Sequence, residues 1–390
     1  MASVAPNGAG RRRSGQKYSD VVDVKGRHRV SSMLALVKDH RGPGLELQEV
    51  AAPEAGPGEV VIRILKTAIC GTDVHIYEWD EWAERSLNVP LIAGHEFVGR
   101  IVRIGDGVRG LQTGELVTGE GHIVCGRCRN CRAGRRHLCA HSVSVGSSAP
   151  GAFAEYLLLP AVNVWPADER IPLDVLAIFD PLGNAVHAAL SFDLVGEDVL
   201  ITGAGPVGCL ATAVVRHAGA RHVVVTDVNP TRLAIAGEMG ATLVVDVRTS
   251  SPRAAMATLG MTEGFDVGLE MSGNKDALRG MIATMAHGGR IGLMGFLEGE
   301  TPVELEPVIF GGLTLKGIYG REMFETWYKM TAMVQGGLDV TPVITHHFPM
   351  AEFEGAFALA RSGHSGKVIL EWTEALAGEE RRGGKEGGAS

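Results

Sequence analysis

Two regions of the chain differ in their pattern of hydrophobic and polar positions. Between residue 33 and about residue 180, short β-type runs such as VVIRIL, FVGRIVRI and AEYLLL are separated by clusters of glycine and proline. This pattern is typical of an all-β, barrel-like domain. From about residue 182 to 318, short apolar runs such as VLIT, HVVVTD and FDVGLEM alternate with segments of helix length. That alternation predicts a doubly wound parallel sheet.

The same pattern predicts how the chain is divided. A length of 390 residues exceeds what one hydrophobic core usually supports, which is roughly 250–300 residues. We expect a β domain over residues 33–181 and a parallel-sheet domain over residues 182–318. Residues 319–372 return to a mixed pattern and end in the strand-like KVILEW, so we expect them to complete the β domain.

The two ends of the chain lack this organisation. Residues 1–32 show no apolar periodicity, and residues 373–390 are rich in glycine and charge, so we predict a disordered leader and a disordered tail. A transit peptide is the alternative for the basic leader. Asp20, Asp23 and the missing amphipathic stripe argue against that alternative.

Composition narrows the class of protein. Hydrophobic residues make up 45% of the chain and charged residues 21%, which is typical of a soluble globular protein. The formal net charge of −8 disfavours a nucleic-acid-binding protein. The sequence contains no run of 18 or more apolar residues, so we do not expect a membrane span. Of the six cysteines, four lie within 15 residues, and the N-terminus has no secretory signal. We therefore expect metal binding in a reducing compartment, the cytoplasm.

A glycine motif marks the start of the second region. Gly203, Gly205 and Gly208 form a GxGxxG pattern directly after the strand VLIT and at the start of a helical segment. In a dinucleotide-binding fold the first glycine permits a tight turn, and the second lets the backbone approach the pyrophosphate. The third allows close packing of helix on strand. The pyrophosphate would lie at the helix N-terminus, which favours anions.

An acidic residue indicates which dinucleotide is bound. Asp227 ends the next strand, HVVVTD, 19 residues after Gly208. A carboxylate there accepts hydrogen bonds from the ribose hydroxyls of NAD and repels the 2′-phosphate of NADP. Arg232 lies five residues further on and leaves NADP open as the alternative.

One loop carries four cysteines at the spacing of a metal site. Four thiolates saturate tetrahedral zinc, so this set predicts a structural site without an open position. An iron–sulfur cluster or unliganded thiols are the alternatives. The four residues are Cys125, Cys128, Cys131 and Cys139.

A second, dispersed set has a different composition. Cys70 lies in TAICGTDVH, and His95 and Glu96 lie in LIAGHEFVG. One thiolate, one imidazole and one carboxylate are the ligands of a catalytic zinc that keeps a position for substrate. Each residue alone would be read as an ordinary buried residue. The three together, upstream of the cysteine loop and of a dinucleotide fold, indicate a catalytic metal site.

These motifs resemble the zinc-dependent medium-chain dehydrogenase/reductase superfamily over roughly residues 33–372. In that superfamily a GroES-like β-barrel catalytic domain carries the zinc ions and a Rossmann domain binds the nicotinamide nucleotide. Several long segments are similar to one of its members, the family of L-threonine 3-dehydrogenases: KTAICGTDVHIYEWDEW, GEGHIVCGRCRNCRAGRRHLC, FDPLGNAVHAALSFDLVGEDVL, TEGFDVGLEMSG and IYGREMFETWYKM.

The resemblance implies an activity and its cofactors. We expect oxidation of L-threonine to 2-amino-3-oxobutanoate with NAD, two Zn²⁺ per chain, and a homotetramer. It implies zinc ligation by Cys70, His95 and Glu96. It also implies contacts with the nucleotide from Val207, Asp227, Arg232, Met294, Gly295, Phe296, Ile318 and Tyr319.

Proton transfer and substrate recognition complete the expected site. The resemblance implies relay roles for Thr72 and His75, and a proton-relay or zinc-proximal role for Asp180. An imidazole can pass a proton to solvent near neutral pH. Threonine also requires groups that bind its ammonium and carboxylate. The candidates near the metal region are Glu120, His122 and Arg321.

Two other functions stay open at this point. A polyol or 2,3-butanediol dehydrogenase would share every metal and nucleotide feature, and only a requirement for the α-amino group would separate the two. A non-catalytic oxidoreductase-like binding protein would be expected to lack the zinc residues or the glycine motif. Both features are present in this sequence.

Overall fold

A computed structural model describes residues 31–297 and 299–372, together with the backbone of Val21–Val22 and His28–Arg29. The predicted tail, 373–390, lies outside the described residues. So does the predicted leader, 1–32, apart from these two short strands and residues 31–32.

The strands, in chain order, are β1 (Val21–Val22), β2 (His28–Arg29), β3 (Ser32–Lys38), β4 (Glu46–Ala51), β5 (Glu59–Ala68), β6 (Leu91–Ile92), β7 (Glu96–Ile104), β8 (Leu116–Gly119), β9 (His122–Ile123), β10 (Val143–Ser144), β11 (Tyr156–Pro160), β12 (Val164–Pro166), β13 (Asp198–Thr202), β14 (His222–Asp227), β15 (Leu243–Asp246), β16 (Phe265–Glu270), β17 (Met285–Leu293), β18 (Thr314–Gly317), β19 (Ile344–Pro349) and β20 (Lys367–Glu371).

The α-helices are α1 (Gly71–Glu78), α2 (Glu81–Ser86), α3 (Arg129–Arg132), α4 (Leu173–Ala177), α5 (Phe179–Ala189), α6 (Pro206–His217), α7 (Pro230–Glu238), α8 (Pro252–Leu259), α9 (Lys275–Ile282), α10 (Leu305–Phe310), α11 (Glu325–Gln335) and α12 (Phe353–Ser362). None of the helices in the described part of the chain is long and apolar enough to cross a membrane.

The first region folds around the long strand β5. The main sheet has the order β12-β8-β7-β5-β20-β19, with β11 also paired to β5, and only β19 and β20 run parallel. A second sheet has the order β4-β3-β6. Leu36 of β3 and Ile62 of β5 belong to one buried cluster, so the two sheets share a core. The C-terminal strand β20 thus joins the sheet built by the first region.

The second region forms a six-stranded sheet in which every pair is parallel. The strand order is β15-β14-β13-β16-β17-β18. Its order reverses between β13 and β16, and ligands of doubly wound sheets bind at such a switch point. The predicted α/β plus β fold class is therefore confirmed.

Helix α5 positions side chains from both regions. Every residue of α5 except Asn184 is buried. Because an α-helix has about 3.6 residues per turn, Asp180, Asn184 and His187 lie on one face. That face meets the chain that follows β18: Arg321 Nη1 donates to Asn184 Oδ1 (3.1 Å), and Nδ1 of His187 donates to the carbonyl oxygen of Gly320 (2.8 Å).

Candidate active site

Three metal-binding side chains meet where α1 begins. Cys70 is the N-cap of α1, His95 directly precedes β7, and Glu96 is the first residue of β7. Their donor atoms all lie within 4.8 Å of one another. A thiolate, an imidazole and a carboxylate are the donors of a catalytic zinc, so the side chains present fit that ion.

Asp73 orients two of these donors, although the motif alone did not reveal it. Its Oδ2 accepts a hydrogen bond from the backbone N–H of Cys70 (2.9 Å), and its Oδ1 lies 3.6 Å from Nδ1 of His95. Burial opposes a charge on His95, but Asp73 and Cys70 raise the pKa of this imidazole well above its ordinary value. The site therefore favours a positive charge, and a metal ion replaces a proton when it binds. The available signal was a carboxylate at the third helical position after an N-cap.

Lys367 is the second residue that sequence reasoning missed. Its Nζ lies 2.5 Å and 2.7 Å from the two carboxylate oxygens of Glu96, and both side chains are buried. Burial opposes the charge on the ammonium, but Glu96 and the nearby Cys70 and Asp73 raise the pKa of Lys367. Lys367 therefore pairs with the metal donor Glu96, and the two residues are 271 positions apart.

A pocket of about 420 Å³ opens beside these donors. Cys70 and His95 line it, whereas the fully buried Glu96 does not. Two of the predicted relay residues, Thr72 and Asp180, also line it. The remaining lining residues are Trp82, Gly121, His122, Ser144, Val145, Ser147, Asn184, Met294, Ile318, Tyr319, Gly320 and Arg321.

His75, the other predicted relay residue, lies outside this pocket. Its side chain is 51% exposed, and its Nδ1 lies 2.5 Å from Oδ2 of Asp80. Its ring packs edge-on against Trp82, which does line the pocket, with 6.0 Å between ring centroids. His75 therefore stands between Trp82 and solvent, on the same helix as Thr72.

The three predicted substrate residues form one buried network. Arg321 donates from Nε and Nη2 to the two carboxylate oxygens of Glu120 (2.9 and 2.6 Å), and Nδ1 of His122 lies 2.9 Å from Glu120 Oε1. Burial opposes the charge on Glu120, but the charge of Arg321 and the hydrogen bonds with His122 and Arg321 outweigh it and hold the pKa of Glu120 well below the usual range. Trp327 Nε1 also donates to Glu120 Oε2 (2.9 Å).

Access to the pocket differs among these three. His122 and Arg321 line it, but Glu120 is fully buried and does not. The guanidinium of Arg321 also faces Asp180 Oδ1 at 2.8 Å and Asn184 Oδ1 at 3.1 Å. All of its nitrogens thus have protein partners.

The cysteine lobe brings its four sulfurs together. The sulfur atoms of Cys125, Cys128, Cys131 and Cys139 all lie within 4.8 Å of one another. The measured pairs are 3.5 Å from Cys139 to Cys125 and 3.9 Å from Cys128 to Cys139. Zinc–sulfur bonds of about 2.3 Å at tetrahedral angles place sulfurs about 3.8 Å apart, so the lobe fits a zinc ion.

The glycine motif lies at the mouth of a second cavity, of about 630 Å³. Gly203 has a φ of 90°, in the left-handed region that favours glycine. A Cβ on Gly205 would meet nothing within 4 Å, which leaves room for a ligand, whereas one on Gly208 would lie 1.9 Å from the carbonyl oxygen of Gly203. The turn therefore has open space for a ligand at Gly205 and close packing of helix on strand at Gly208.

Asp227 and Arg232 line this second cavity. Asp227 Oδ2 accepts a hydrogen bond from the backbone N–H of Ala204 (2.7 Å), and its Oδ1 accepts from Val228 (2.7 Å) and Asn229 (2.9 Å). These bonds hold the carboxylate at the carboxyl end of β14, beside the glycine turn. Nε of Arg232 is buried and has no hydrogen-bond partner among the described residues.

Comparison with known proteins decides the family. The family model for the alcohol dehydrogenase GroES-like domain matches residues 56–169, and that for zinc-binding dehydrogenases matches residues 206–336. An L-threonine 3-dehydrogenase from Anaeromyxobacter dehalogenans (strain 2CP-C) is 58% identical over 87% of this chain and 99% of its own. The chain belongs to the L-threonine 3-dehydrogenase family.

Solved structures of other dehydrogenases share the fold of this family member. An alcohol dehydrogenase from E. coli CFT073, complexed with NADH, is 25% identical and superposes with a TM-score of 0.81, covering 88% of this chain and 100% of its own. A zinc-binding dehydrogenase from Sinorhizobium meliloti 1021, bound to NADP, is 26% identical with a TM-score of 0.80 at the same coverage. Neighbours of equal likeness thus bind different nucleotides.

Of the six other predicted nucleotide residues, three line the pocket beside the metal donors and three line neither cavity. Met294, Ile318 and Tyr319 line the pocket beside the metal donors rather than the cavity beside Gly203. Phe296 is 66% exposed, and Val207 packs against the main core. Gly295 lies tightly against Gly273, where a Cβ would come within 2.3 Å of the backbone nitrogen. Asp227 and Arg232 thus lie at the glycine-turn cavity and Met294, Ile318 and Tyr319 at the metal-donor pocket, and the nucleotide contacts of the whole set stay a prediction.

Proposed function

We propose that this chain oxidises L-threonine at its β-carbon, so that L-threonine and NAD⁺ give 2-amino-3-oxobutanoate, NADH and a proton. One observation carries the proposal: a single pocket joins the metal donors Cys70 and His95 to the predicted nucleotide residues Met294, Ile318 and Tyr319. Membership of the threonine dehydrogenase family supports the choice of substrate.

Cys70, His95 and Glu96 would hold the catalytic zinc. Zinc supplies Lewis acidity that makes a substrate hydroxyl easier to deprotonate, and NAD supplies the hydride acceptor. Asp73 and Lys367 orient these ligands from behind through His95 and Glu96. The four cysteines of the lobe would hold a second zinc, whose closed coordination gives it a structural role.

Thr72 and His75 carry the substrate proton to solvent. Thr72 lines the pocket and offers its hydroxyl Oγ1 to the substrate hydroxyl. His75 accepts the proton at Nε2, because its Nδ1 faces Asp80, and its exposed side chain releases the proton to water. Asp180 lines the pocket next to the metal donors and, paired with Arg321, helps to set their electrostatics.

Among the substrate candidates, His122 contacts the substrate, and Glu120 and Arg321 act through it. This assignment follows from access, because Glu120 does not line the pocket and the nitrogens of Arg321 already have partners. Glu120 holds the His122 ring by its Nδ1, and Arg321 approaches the same nitrogen at 3.1 Å. We further propose NAD as the nucleotide, because Asp227 would repel a 2′-phosphate.

The assembly and its location are also proposals. The family resemblance favours a homotetramer, which light scattering on the purified protein would test. None of the six cysteines, all of which lie among the described residues, forms a disulfide bond, which supports a reducing compartment such as the cytoplasm.

The substrate is tested by NADH formation from a matched panel: L-threonine, D-threonine, L-allo-threonine, 2,3-butanediol and sorbitol. A site that binds both an ammonium and a carboxylate rejects neutral alcohols, because each unpaired buried polar group costs about 1–3 kcal/mol. We expect kcat/KM to be highest for L-threonine and several powers of ten lower for sorbitol. A higher kcat/KM for 2,3-butanediol or sorbitol would replace this proposal with a polyol dehydrogenase. The absence of turnover with any member would favour a binding protein.

A further inference from the structure

A third group of metal-type side chains lies outside both zinc clusters. His137, His187 and Glu322 offer donor atoms that all lie within 4.8 Å of one another. The rings of His137 and His187 meet edge-on with 5.5 Å between centroids, and Nε2 of His187 lies 3.8 Å from Oε1 of Glu322. Neither His137 nor Glu322 lines the substrate pocket or the nucleotide cavity.

The three side chains come from elements that are far apart in sequence. His137 belongs to the 3-10 turn Arg136–Leu138 of the cysteine lobe, and His187 belongs to α5. Glu322 directly follows Arg321, one wall of the substrate pocket. The cluster therefore lies where the cysteine lobe, α5 and the pocket wall come together.

The buried histidine is already oriented as a ligand. Nδ1 of His187 donates to the carbonyl oxygen of Gly320 at 2.8 Å, and this bond fixes the tautomer in which Nε2 carries no proton and can bind a metal ion, with Glu322 Oε1 3.8 Å away. Metal-binding histidines are usually held by such a bond from the other ring nitrogen. The Glu322 side chain is 45% exposed, so it has room to swing onto an ion and the site stays open to water.

We propose that His137, His187 and Glu322 form a third metal site, which binds a divalent first-row transition ion with water in its remaining positions. Two imidazoles and one carboxylate suit Zn²⁺, Co²⁺ or Fe²⁺, whereas Mg²⁺ and Ca²⁺ prefer sites made of oxygen ligands alone. With three protein ligands and open positions, this site binds more weakly and exchanges faster than the two thiolate sites. A bound ion would tie the cysteine lobe to α5 and to the Gly320–Arg321 wall.

The test uses zinc-loaded enzyme, dialysed against a mild chelator until it holds two zinc ions per chain. Co²⁺ is then added by equilibrium dialysis, without substrate, and the bound metals are counted by elemental analysis. We expect one further cobalt per chain with both zincs retained. Because its ligands are nitrogen and oxygen, its visible spectrum should contain weak d–d bands and no thiolate-to-cobalt charge-transfer band. Co²⁺ should also raise the Tm of the unaltered enzyme.

His137→Asn, Glu322→Gln and the double variant should each weaken cobalt binding by about tenfold or more while the two zincs remain. His217→Asn and Glu238→Gln alter exposed residues outside the cluster and should bind cobalt as the unaltered enzyme does. Equal cobalt binding by the double variant would overturn the proposal. So would the absence of a third ion, or a charge-transfer band that shows cobalt replacing zinc. The measurement needs no turnover, so its result is independent of the substrate.

Discussion

Arg321 and Glu120 are 201 residues apart in the chain, yet they form a two-pronged ion pair with both side chains buried. Two parallel N–H···O bonds between a guanidinium and a carboxylate fix geometry as well as charge. The pair joins the segment after β18 to the segment after β8, and it supports the wall of the substrate pocket.

Loss of this carboxylate should destabilise the protein strongly. Glu120→Gln takes from the buried guanidinium of Arg321 one of its two carboxylate partners and leaves only Asp180, and breaking a buried pair costs about 3–5 kcal/mol. Urea denaturation of Glu120→Gln should show a free energy of unfolding lower by this amount. Glu238→Gln, an exposed glutamate at the end of α7, is the control and should change little.

The same pair predicts the acid sensitivity of the fold. Burial opposes the charge on Glu120, but Arg321 and the hydrogen bond with His122 outweigh it and depress the pKa of Glu120 in the folded state. The stabilisation that this carboxylate provides is therefore complete above the unfolded-state pKa of about 4.3. That stabilisation should be lost progressively as pH falls below this value. The free energy of unfolding should therefore decline less between pH 5 and lower pH in Glu120→Gln than in the unaltered enzyme. Parallel declines in the two proteins would remove Glu120 from this role.

A cysteine substitution in either of the two cysteine-containing metal clusters should remove the zinc of that cluster and leave the other zinc in place. Cys70→Ser should lose one zinc and nearly all activity, because Cys70 lines the pocket. Cys128→Ser should lose the other zinc and chiefly lower stability, because structural zinc contributes directly to the free energy of folding. Elemental analysis of dialysed protein, read beside Tm and kcat, separates the two effects.

The sixth cysteine is the control for this experiment. Cys209 is buried, and burial raises the pKa of its thiol to about 12. Cys209→Ala should keep both zincs. A single zinc in the unaltered, dialysed enzyme would contradict the two-site scheme.

Asp227 should determine the choice of nucleotide. Asp227→Ser removes the charge that repels a 2′-phosphate and leaves Arg232 free to meet it, so the ratio of kcat/KM for NADP over NAD should rise. The variant should also be less stable, because three backbone N–H groups lose their acceptor. Asp246→Ser is a matched control, since Asp246 pairs with Asp227 in the sheet register but lies outside the cavity. An unchanged ratio in Asp227→Ser would reassign the discrimination to another residue.

Asp73 should act on the metal without touching the substrate. Asp73→Asn keeps the shape of the side chain but removes the charge beside His95, and loss of such a supporting carboxylate typically lowers metal affinity by about 10- to 100-fold. The rate at which a chelator removes the catalytic zinc should rise, while zinc in the cysteine lobe stays in place. Equal release rates in the two proteins would argue against this role.

The features that the sequence predicted involve residues close together along the chain, whereas the features that it missed involve residues far apart along the chain. The glycine turn, the cysteine lobe and the strands of both sheets are local patterns, which periodicity and spacing record directly. The pairing of Glu96 with Lys367 and of Glu120 with Arg321 depends on how distant segments meet, and nothing near Lys367 marks it as a partner. The sequence offered Arg321 as a possible ligand-binding residue. It could not show that the nitrogens of this arginine have protein partners, because those partners come from distant segments.

One face of helix α5 carries side chains of two different sites. Asp180 and Asn184 line the substrate pocket, and His187 belongs to the His137–His187–Glu322 cluster. Because the three residues share a face, both sites depend on the orientation of the helix about its axis. Gly183 lies against Arg321, where an added Cβ would come within 2.5 Å of its Cδ, so a larger residue does not fit at this position. Inserting one residue ahead of Asp180 would turn the face by about 100° and withdraw all three side chains together. An insertion or deletion ahead of Asp180 would therefore disturb both sites at once, and the burial of every residue of α5 except Asn184 restricts substitutions as well.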